Sequence, residues 1–191
     1  MTDTRSRMIR SAAELIARRG ATATSFNDVL THSGAPRGSI YHHFPKGKDE
    51  LTAAAVQLVA GYVARRQQAC AAATPAGVLA CFIGMWREVV EASGGAAGCA
   101  IAGTAIDAEN DALVAVARAA FHQWIEVLAA QFTAVGIDRR QAVPLATTAV
   151  AALEGALILC RTERSAAPLD AVAAELARLL PGPAPKKKAR R

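Results

Sequence analysis

The sequence is poor in the residues that form β-sheets. Aromatic residues make up 5% of the 191 residues and charged residues 20%, whereas the apolar group makes up 52%. Alanine alone accounts for 46 residues. Alanine is the best helix former, while β-branched and aromatic residues favour strands. The composition therefore predicts an all-α fold and excludes a disordered chain.

The sequence lacks a recognisable signal peptide and a clean membrane span. The longest uncharged stretch, 67–86, contains Thr74, Pro75 and Gly77, which would interrupt a bilayer helix. Residues 1–7 lead into no apolar region and no cleavage site. We therefore expect a cytoplasmic protein without a membrane partner.

The cysteines lack the paired spacing of zinc ligands or redox motifs. They are Cys70, Cys81, Cys99 and Cys160. We expect free, buried thiols, because a cytosolic chain of this length needs no disulfides. A redox switch between Cys81 and Cys99 is the alternative. It is less favoured, because the sequence places neither cysteine beside a cation that would stabilise a thiolate.

Motifs for catalysis and metal binding are also missing. The sequence contains no G-x-G-x-x-G and no P-loop, and His122 has no nucleophile at a telling spacing. The adjacent His42 and His43 would point about 100° apart on a helix, so one ion could not easily bind both. We expect no enzyme activity, no cofactor and no metal site.

Charge is distributed unevenly along the chain. The net charge is +5 in residues 1–48, −4 in residues 49–180 and +5 in residues 181–191, which sum to the +6 of the whole chain. A basic patch confined to a small N-terminal unit is typical of nucleic-acid binding, although a solvated cationic surface would give the same count. The division predicts a DNA-binding head (1–48), a larger body (49–180) and a disordered basic tail (181–191).

Hydrophobic periodicity predicts helices throughout the chain. Met8, Ala12, Leu15 and Ile16 form one apolar stripe on a first helix that ends before Gly20. The remaining predicted helices are two short ones at 25–31 and 36–43, then 47–73, 74–92, 99–107, 110–135, 138–163 and 168–180.

The two short helices lie within the basic segment and are joined by a turn at Gly34. Ser25 and Asp28 have the spacing of a capping box, which starts the first of them. Ile40 and Phe44 are four residues apart and would share the inner face of the second. The pattern is typical of a helix-turn-helix, whose outer face reads DNA.

At these residues the sequence resembles the TetR family of transcriptional regulators. The segment 34–44, Gly-Ala-Pro-Arg-Gly-Ser-Ile-Tyr-His-His-Phe, is similar to the recognition helix of that family and its surroundings. Pro36 departs from the polar N-cap that is usual there. The spacing from Phe44 to Lys48 is one residue longer than the common form, and together with residues 98–101 it resembles the YxaF/LmrA subgroup.

The resemblance implies which residues contact DNA. Lys48 matches a lysine that binds phosphate at the start of the fourth helix. The DNA-binding residues are assigned as Ser25, Asn27, Arg37, Gly38, Ser39, Tyr41, His42, Lys46 and Lys48.

The resemblance also implies an effector pocket in the body. Pockets in helical domains are lined by apolar and aromatic side chains. The assigned residues are Phe82, Met85, Trp86, Thr104, Phe121, Trp124 and Leu128. Arg87, Gln123 or Thr104 would supply polar contacts. Core packing is the alternative explanation for any one of these residues.

The last two helices are expected to form a homodimer interface. Their alanines would let helices approach closely, and their leucines would supply apolar area. The assigned residues are Ala149, Leu153, Ala156, Leu169, Val172, Leu176 and Leu179.

These patterns predict a repressor that a small hydrophobic effector releases from a double-stranded DNA operator. An architectural DNA binder without an effector would instead have no pocket and little sequence preference. A helical enzyme with a basic N-terminus would have a catalytic cluster. The tail would add sequence-independent DNA affinity or only solubility.

Overall fold

The computed structural model describes residues 3–181, and this part of the chain forms nine α-helices and no strand. The helices are α1 (Thr4–Arg19), α2 (Phe26–Ser33), α3 (Ser39–His43), α4 (Lys48–Gln68), α5 (Pro75–Ala92), α6 (Ala100–Asp107), α7 (Asp111–Ala134), α8 (Arg139–Glu163) and α9 (Ala167–Leu179). The all-α prediction is confirmed. The predicted tail lies outside the described residues except for Pro181.

The first three helices and the start of α4 share one small core. Its members are Met8, Ile9, Ala12, Ala13, Ile16, Ala21, Val29, Leu30, Ile40, Phe44, Leu51, Ala55 and Ala100. The apolar stripe of α1 and the paired Ile40 and Phe44 therefore pack as their spacing predicts. Leu51 and Ala55 belong to α4, so this core continues past residue 48.

Two helix boundaries differ from the prediction. The second short helix begins at Ser39 and not at Pro36, because residues 36–38 form a turn in which the Ser39 N–H donates to the Pro36 carbonyl at 3.0 Å. The helix α4 ends at Gln68 and not near Ala73. The Gln67 carbonyl accepts from the Cys70 N–H and from the Gln131 side chain, which caps the helix at that point.

The body is built around α4, α7 and α8, with α5, α6 and α9 packed against them. Its largest buried side chains include Phe82, Trp124, Phe132, Leu153 and Leu157. By length and composition α7 and α8 are apolar enough to cross a membrane. Both contribute side chains to the core of the body.

The prediction of four free thiols is wrong for one pair. Cys70 and Cys81 form a disulfide with a Cα–Cα distance of 6.3 Å, whereas Cys99 and Cys160 are free and buried. The short crossing from α4 to α5 brings the two bonded cysteines together. The disulfide joins this crossing to the middle of α5.

The head and the body meet where α6 lies against α1. The Gly98 N–H donates to the Ala17 carbonyl at 2.8 Å. A Cβ at Gly103 would come within 3.2 Å of the Ile16 carbonyl oxygen. At Gly20 a Cβ would collide with the Asp107 carboxylate. These glycines let the two helices approach with little side chain between them.

We expect the disulfide to stabilise the protein under oxidising conditions. It closes a short loop in the unfolded chain, and such a loop corresponds to about 2–3 kcal/mol in the loop-entropy treatment. The variant Cys81→Ser should therefore unfold at lower denaturant than the oxidised parent. With a reductant present, the parent and the variant should unfold within about 0.5 kcal/mol of each other. Parent midpoints that are the same with and without reductant would contradict the assignment.

Candidate nucleic-acid interface and ligand cavity

The helix-turn-helix is formed by α2 and α3. Gly34 ends α2 in the left-handed conformation, with φ of 65°, which a residue without Cβ adopts at no steric cost. Ile40 and Phe44 are buried beneath α3, and Tyr41 is 70% exposed on its outer side. The turn therefore presents α3 to solvent with its polar side chains outward.

The capping box at the start of α2 is confirmed. The Asp28 N–H donates to Ser25 Oγ at 3.2 Å, and the Ser25 N–H donates to the Asp28 carboxylate at 2.9 Å. Hydrogen bonds from Ser25, and then the Arg19 guanidinium at 2.8 Å, lower the pKa of Asp28 to about 2. The Asp28 carboxylate therefore stays ionised far below neutral pH, and it remains the hydrogen-bond acceptor of the capping box.

The assigned DNA-binding residues lie in or next to α2, α3 and the start of α4. Two of their hydroxyl groups are already engaged, since Ser25 caps α2 and Ser39 Oγ donates to the Pro36 carbonyl at 2.6 Å. The Tyr41 ring meets Phe26 edge-on at 5.7 Å, which supports it from below. The exposed members of the set are Ser25, Asn27, Arg37, Gly38, Tyr41, His42 and Lys46.

Lys48 is tied to the connector between α1 and α2. Its Nζ donates to the Thr22 carbonyl at 3.0 Å, and an ammonium has two further donors. Lys48 is the first residue of α4. The residue before it, Gly47, has no side chain that could cap the N-terminal N–H groups of the helix. The start of α4 therefore combines a fixed cation with open helix-end donors, which is suited to a phosphate.

A cavity of about 350 Å³ lies between α1, α4 and α5. Its wall is mainly apolar and includes Ala13, Ala17, Val59, Val63, Met85 and Trp86. Its polar side chains include Glu14, Arg18, Tyr62 and Ser93. The buried Trp86 Nε1 has no hydrogen-bond partner among the described residues. The cavity is suited to an apolar molecule, and its volume is at the small end of ligand pockets at roughly 300–1,000 Å³.

The structure places two members of the assigned effector set at this cavity and the other five elsewhere. Of that set, Met85 and Trp86 line the cavity. The residues that do not line it are Phe82, Thr104, Phe121, Trp124 and Leu128. Trp124 is a core residue whose Nε1 donates to the Ala60 carbonyl at 3.1 Å, and Thr104 Oγ1 donates to the Ala100 carbonyl at 2.9 Å.

The polar side chains that were expected beside this pocket do not line it. Arg87 forms an ion pair with Asp170 of α9, and Gln123 is exposed on α7. The α1 residues of the wall were missed, because no local pattern shows that α1 and α5 meet.

The assigned dimer residues are also corrected. Five of them are buried within the chain's own core, so their side chains are not available to a partner: Ala149, Leu153, Ala156, Leu169 and Leu176. Val172 is half-buried, and Leu179 is 58% exposed. The alanine stripe packs inward because it lets α8 approach α7 and α9. The outward face of α8, which we call the α8 outer face, carries Thr148, Ala151, Gly155, Ile158 and Leu159.

Two family models match the chain. Residues 8–55 match the bacterial regulatory proteins of the tetR family. Residues 75–175 match the C-terminal domain of LmrA/YxaF-like transcriptional regulators. The second match covers more than half of the chain and includes all of α5 to α8.

Curated relatives of the same kind match along nearly the whole length. An uncharacterised HTH-type transcriptional regulator of Mycobacterium tuberculosis is 38% identical over 187 residues, which cover 94% of this chain and 95% of that protein. The HTH-type transcriptional regulator LmrA of Bacillus subtilis is 27% identical, and the match covers 87% of this chain and 91% of LmrA.

Solved structures share the fold. A TetR regulator from Legionella pneumophila superposes with a TM-score of 0.86 at 22% identity, covering 95% of this chain and 99% of the other. A TetR regulator from Chloroflexus aurantiacus gives a TM-score of 0.73 at 28% identity, covering 92% of each chain. Together with the exposed recognition helix, these matches show that the chain belongs to the TetR family of transcriptional regulators, in its LmrA/YxaF-like group.

Proposed function

We propose that this protein is a homodimeric repressor, released from its operator when an apolar small molecule enters the cavity between α1, α4 and α5. The observation that carries the proposal is the composition of that wall. Ala13 and Ala17 belong to the head, whereas Met85 and Trp86 belong to the body. A ligand that fills this cavity therefore contacts both units at once.

DNA binding is assigned to the outer side of the head. Arg37, Tyr41 and His42 would reach base edges and phosphates in a major groove, while Lys48 and the start of α4 would bind a phosphate. A dimer would place its two recognition helices in successive major grooves, about 34 Å apart. The repressor role and the contacts of individual residues are part of this proposal.

Release follows from a shift between two arrangements of head and body. A ligand moves such an equilibrium only by the difference in its affinity for the two states. Because α1 and α4 form one wall of the cavity, a molecule that spreads them changes the spacing of the recognition helices in the dimer. The ligand should weaken DNA binding, and DNA should weaken ligand binding by the same factor.

The dimer is assigned to the α8 outer face. Ile158 and Leu159 are 58% and 50% exposed there, beside the small residues Thr148, Ala151 and Gly155. Small residues allow two helices to approach closely, and the two large ones supply apolar area. Exposed Leu179 of α9 extends the apolar surface.

Two head variants test the DNA interface. Tyr41→Ala should weaken binding to an operator obtained by in vitro selection roughly tenfold, about 1.4 kcal/mol, without unfolding the head, because the side chain is exposed. Lys48→Ala should weaken binding to all sequences and lower the salt slope by about one. Fluorescence anisotropy at several salt concentrations measures both effects. Arg139→Ala, an exposed cation on α8, is the control that should bind as the parent does. Parent-like binding by both head variants would refute the interface.

A single charge tests the dimer surface. Ile158→Asp should give a monomer in sedimentation velocity, since an unpaired charge in an apolar interface costs several kcal/mol, on the order of 3–5. The matched control is Leu58→Asp, which changes an exposed leucine on α4 outside the α8 outer face and should leave the dimer intact. A dimeric Ile158→Asp would move the interface away from the α8 outer face.

Filling the cavity tests the effector site. Val59 lines the cavity and is half-buried, so Val59→Phe should occupy the space without removing a core side chain. In a panel of aromatic compounds, those that raise the melting temperature of the parent should release its operator and should fail to stabilise Val59→Phe. Operator affinity without ligand should stay within about threefold of the parent.

Leu58→Phe is the matched control, because Leu58 is exposed on α4 and does not line the cavity. It should respond to the compounds as the parent does. If no compound stabilises the parent or releases DNA, the effector-free architectural binder is favoured.

A further inference from the structure

A second cavity lies on the other side of the contact between Ala17 and Gly98. Its volume is about 260 Å³, and it is bounded by the end of α1, by α6 and by α8. Ala17 and Gly98 line both cavities, so one backbone hydrogen bond separates them. The volume is below the roughly 300–1,000 Å³ of drug-sized pockets, which limits an occupant to a small molecule.

Glu154 of α8 contributes a carboxyl group to the wall of this second cavity. Its Oε1 atom is buried and has no hydrogen-bond partner among the described residues. A buried acceptor without a partner is rare, because the group loses its water and gains nothing in return. The chemistry that satisfies a carboxylate in such a position is a strong donor, above all an ammonium group.

Among the other charged side chains of the wall, only Arg161 is without an ion pair or hydrogen bond within the described residues. Arg19 is paired with Asp28 at 2.8 Å, and Asp107 accepts from the Thr22 N–H at 3.4 Å. Arg161 lies seven residues after Glu154 on α8, on nearly the same face and about 10 Å along the helix axis. It is exposed and forms no ion pair within residues 3–181.

We propose that this second cavity binds a small aminocarboxylate, with its ammonium on Glu154 and its carboxylate on Arg161. The Glu154 end is buried and anionic, whereas the Arg161 end is exposed and cationic. A polyamine is disfavoured, because its second cation would meet Arg161. An apolar molecule is disfavoured, because it leaves the Glu154 oxygen without a donor.

A ligand in this cavity would act on the joint between head and body. Gly20 and Gly103 lie on the wall at the point where α1 and α6 approach closely. An occupant that widens this contact changes the position of α1 relative to α8. Its effect on DNA affinity rests on the proposed function, whereas its binding to the protein does not.

The protonation of Glu154 gives the site a pH signature. Burial raises the pKa of Glu154 to about 7, and the neighbouring Cys99 thiol opposes that shift. Burial also raises the pKa of the Cys99 thiol, and the arginines keep their charge. Ammonium binding needs ionised Glu154, so affinity should rise between pH 6 and pH 8.

Calorimetry with the full chain and without DNA tests the site. At pH 7.5, 5-aminopentanoate should bind at least tenfold more tightly than pentanoate, n-pentylamine or spermidine. Glu154→Gln should lower its affinity at least tenfold and abolish the rise with pH, and Arg161→Met should lower it several-fold. Glu163→Gln removes an exposed carboxylate from the same helix outside the cavity, and it should bind as the parent does.

Thermal unfolding shows whether Glu154→Gln still folds. Because the pKa of Glu154 in the folded protein is raised above its ordinary value of 4.5, the parent should lose stability as the pH rises from 4.5 to 7. The variant should lack this loss and melt at or above the parent temperature at pH 8. If the variant does not fold, Glu154→Asp replaces it and should bind more weakly with the pH dependence retained.

Three results would overturn the site. One is the absence of heat with 5-aminopentanoate under conditions where the parent is folded. Another is equal affinity in the parent and Glu154→Gln. The last is a combined result, in which the parent does not bind 5-aminopentanoate and Glu154→Gln shifts the monomer–dimer equilibrium. That result would mean that Glu154 Oε1 accepts a hydrogen bond from a partner subunit. If the protein binds 5-aminopentanoate but binds no DNA, the result contradicts the proposed function and leaves the second cavity as a binding site.

Discussion

The α6 helix lies against α1 with glycine at the points of closest approach, and this contact, together with the packing of α1 on α4, fixes the head relative to the body. Gly98 donates its N–H to the Ala17 carbonyl, and Gly103 leaves no room for a Cβ without displacing the Ile16 carbonyl. Backbone in contact with backbone cannot yield by a change of rotamer. A displacement of α6 or of the preceding loop must therefore move α1 as a whole.

The far end of α4 is held by three contacts within five residues. Arg66 binds Glu88 through two hydrogen bonds, Gln67 donates to Val78 and Gln131, and Cys70 is bonded to Cys81. The near end of α4 is held as well, since Lys48 donates to the Thr22 carbonyl, Asp49 accepts from Asn110, and Leu51 is buried in the core of the head. The helix α4 is therefore anchored to α5 and α7 at its far end and packed into the head at its near end, so it links the two units. The disulfide belongs to this anchor.

The sequence was most informative where structure is local. The capping box of Ser25 and Asp28, the end of α2 at Gly34 and the Ile40–Phe44 pair depend on neighbours a few residues apart, and all three were predicted correctly. Contacts across the chain were not accessible in the same way. The disulfide joins two helices whose packing no spacing reveals, and the same holds for the contribution of α1 to the cavity wall.

The assignments for the body failed because hydrophobic periodicity gives a buried face and does not say what covers it. Leu153 and Leu176 lie on true apolar stripes, but the covering surface is the chain itself. Trp124 was assigned to a pocket because it is large and aromatic, yet its N–H binds the Ala60 carbonyl and fixes it in the core. The exposed apolar face that contains Ile158 and Leu159 can be identified only once the structure shows which face of α8 is buried.

Alanine has two opposite effects in this fold. On α8 the inward Ala149 and Ala156 let neighbouring helices approach closely, and the core there is filled. On α1 the small side chains of Ala13 and Ala17 face Met85 and Trp86 and leave the space between them open. On α1 the opposing Trp86 indole is rigid, so it cannot turn to fill the space that the alanines leave. The composition that predicts a helical protein therefore also leaves space at the joint between head and body, where an occupant can act on both.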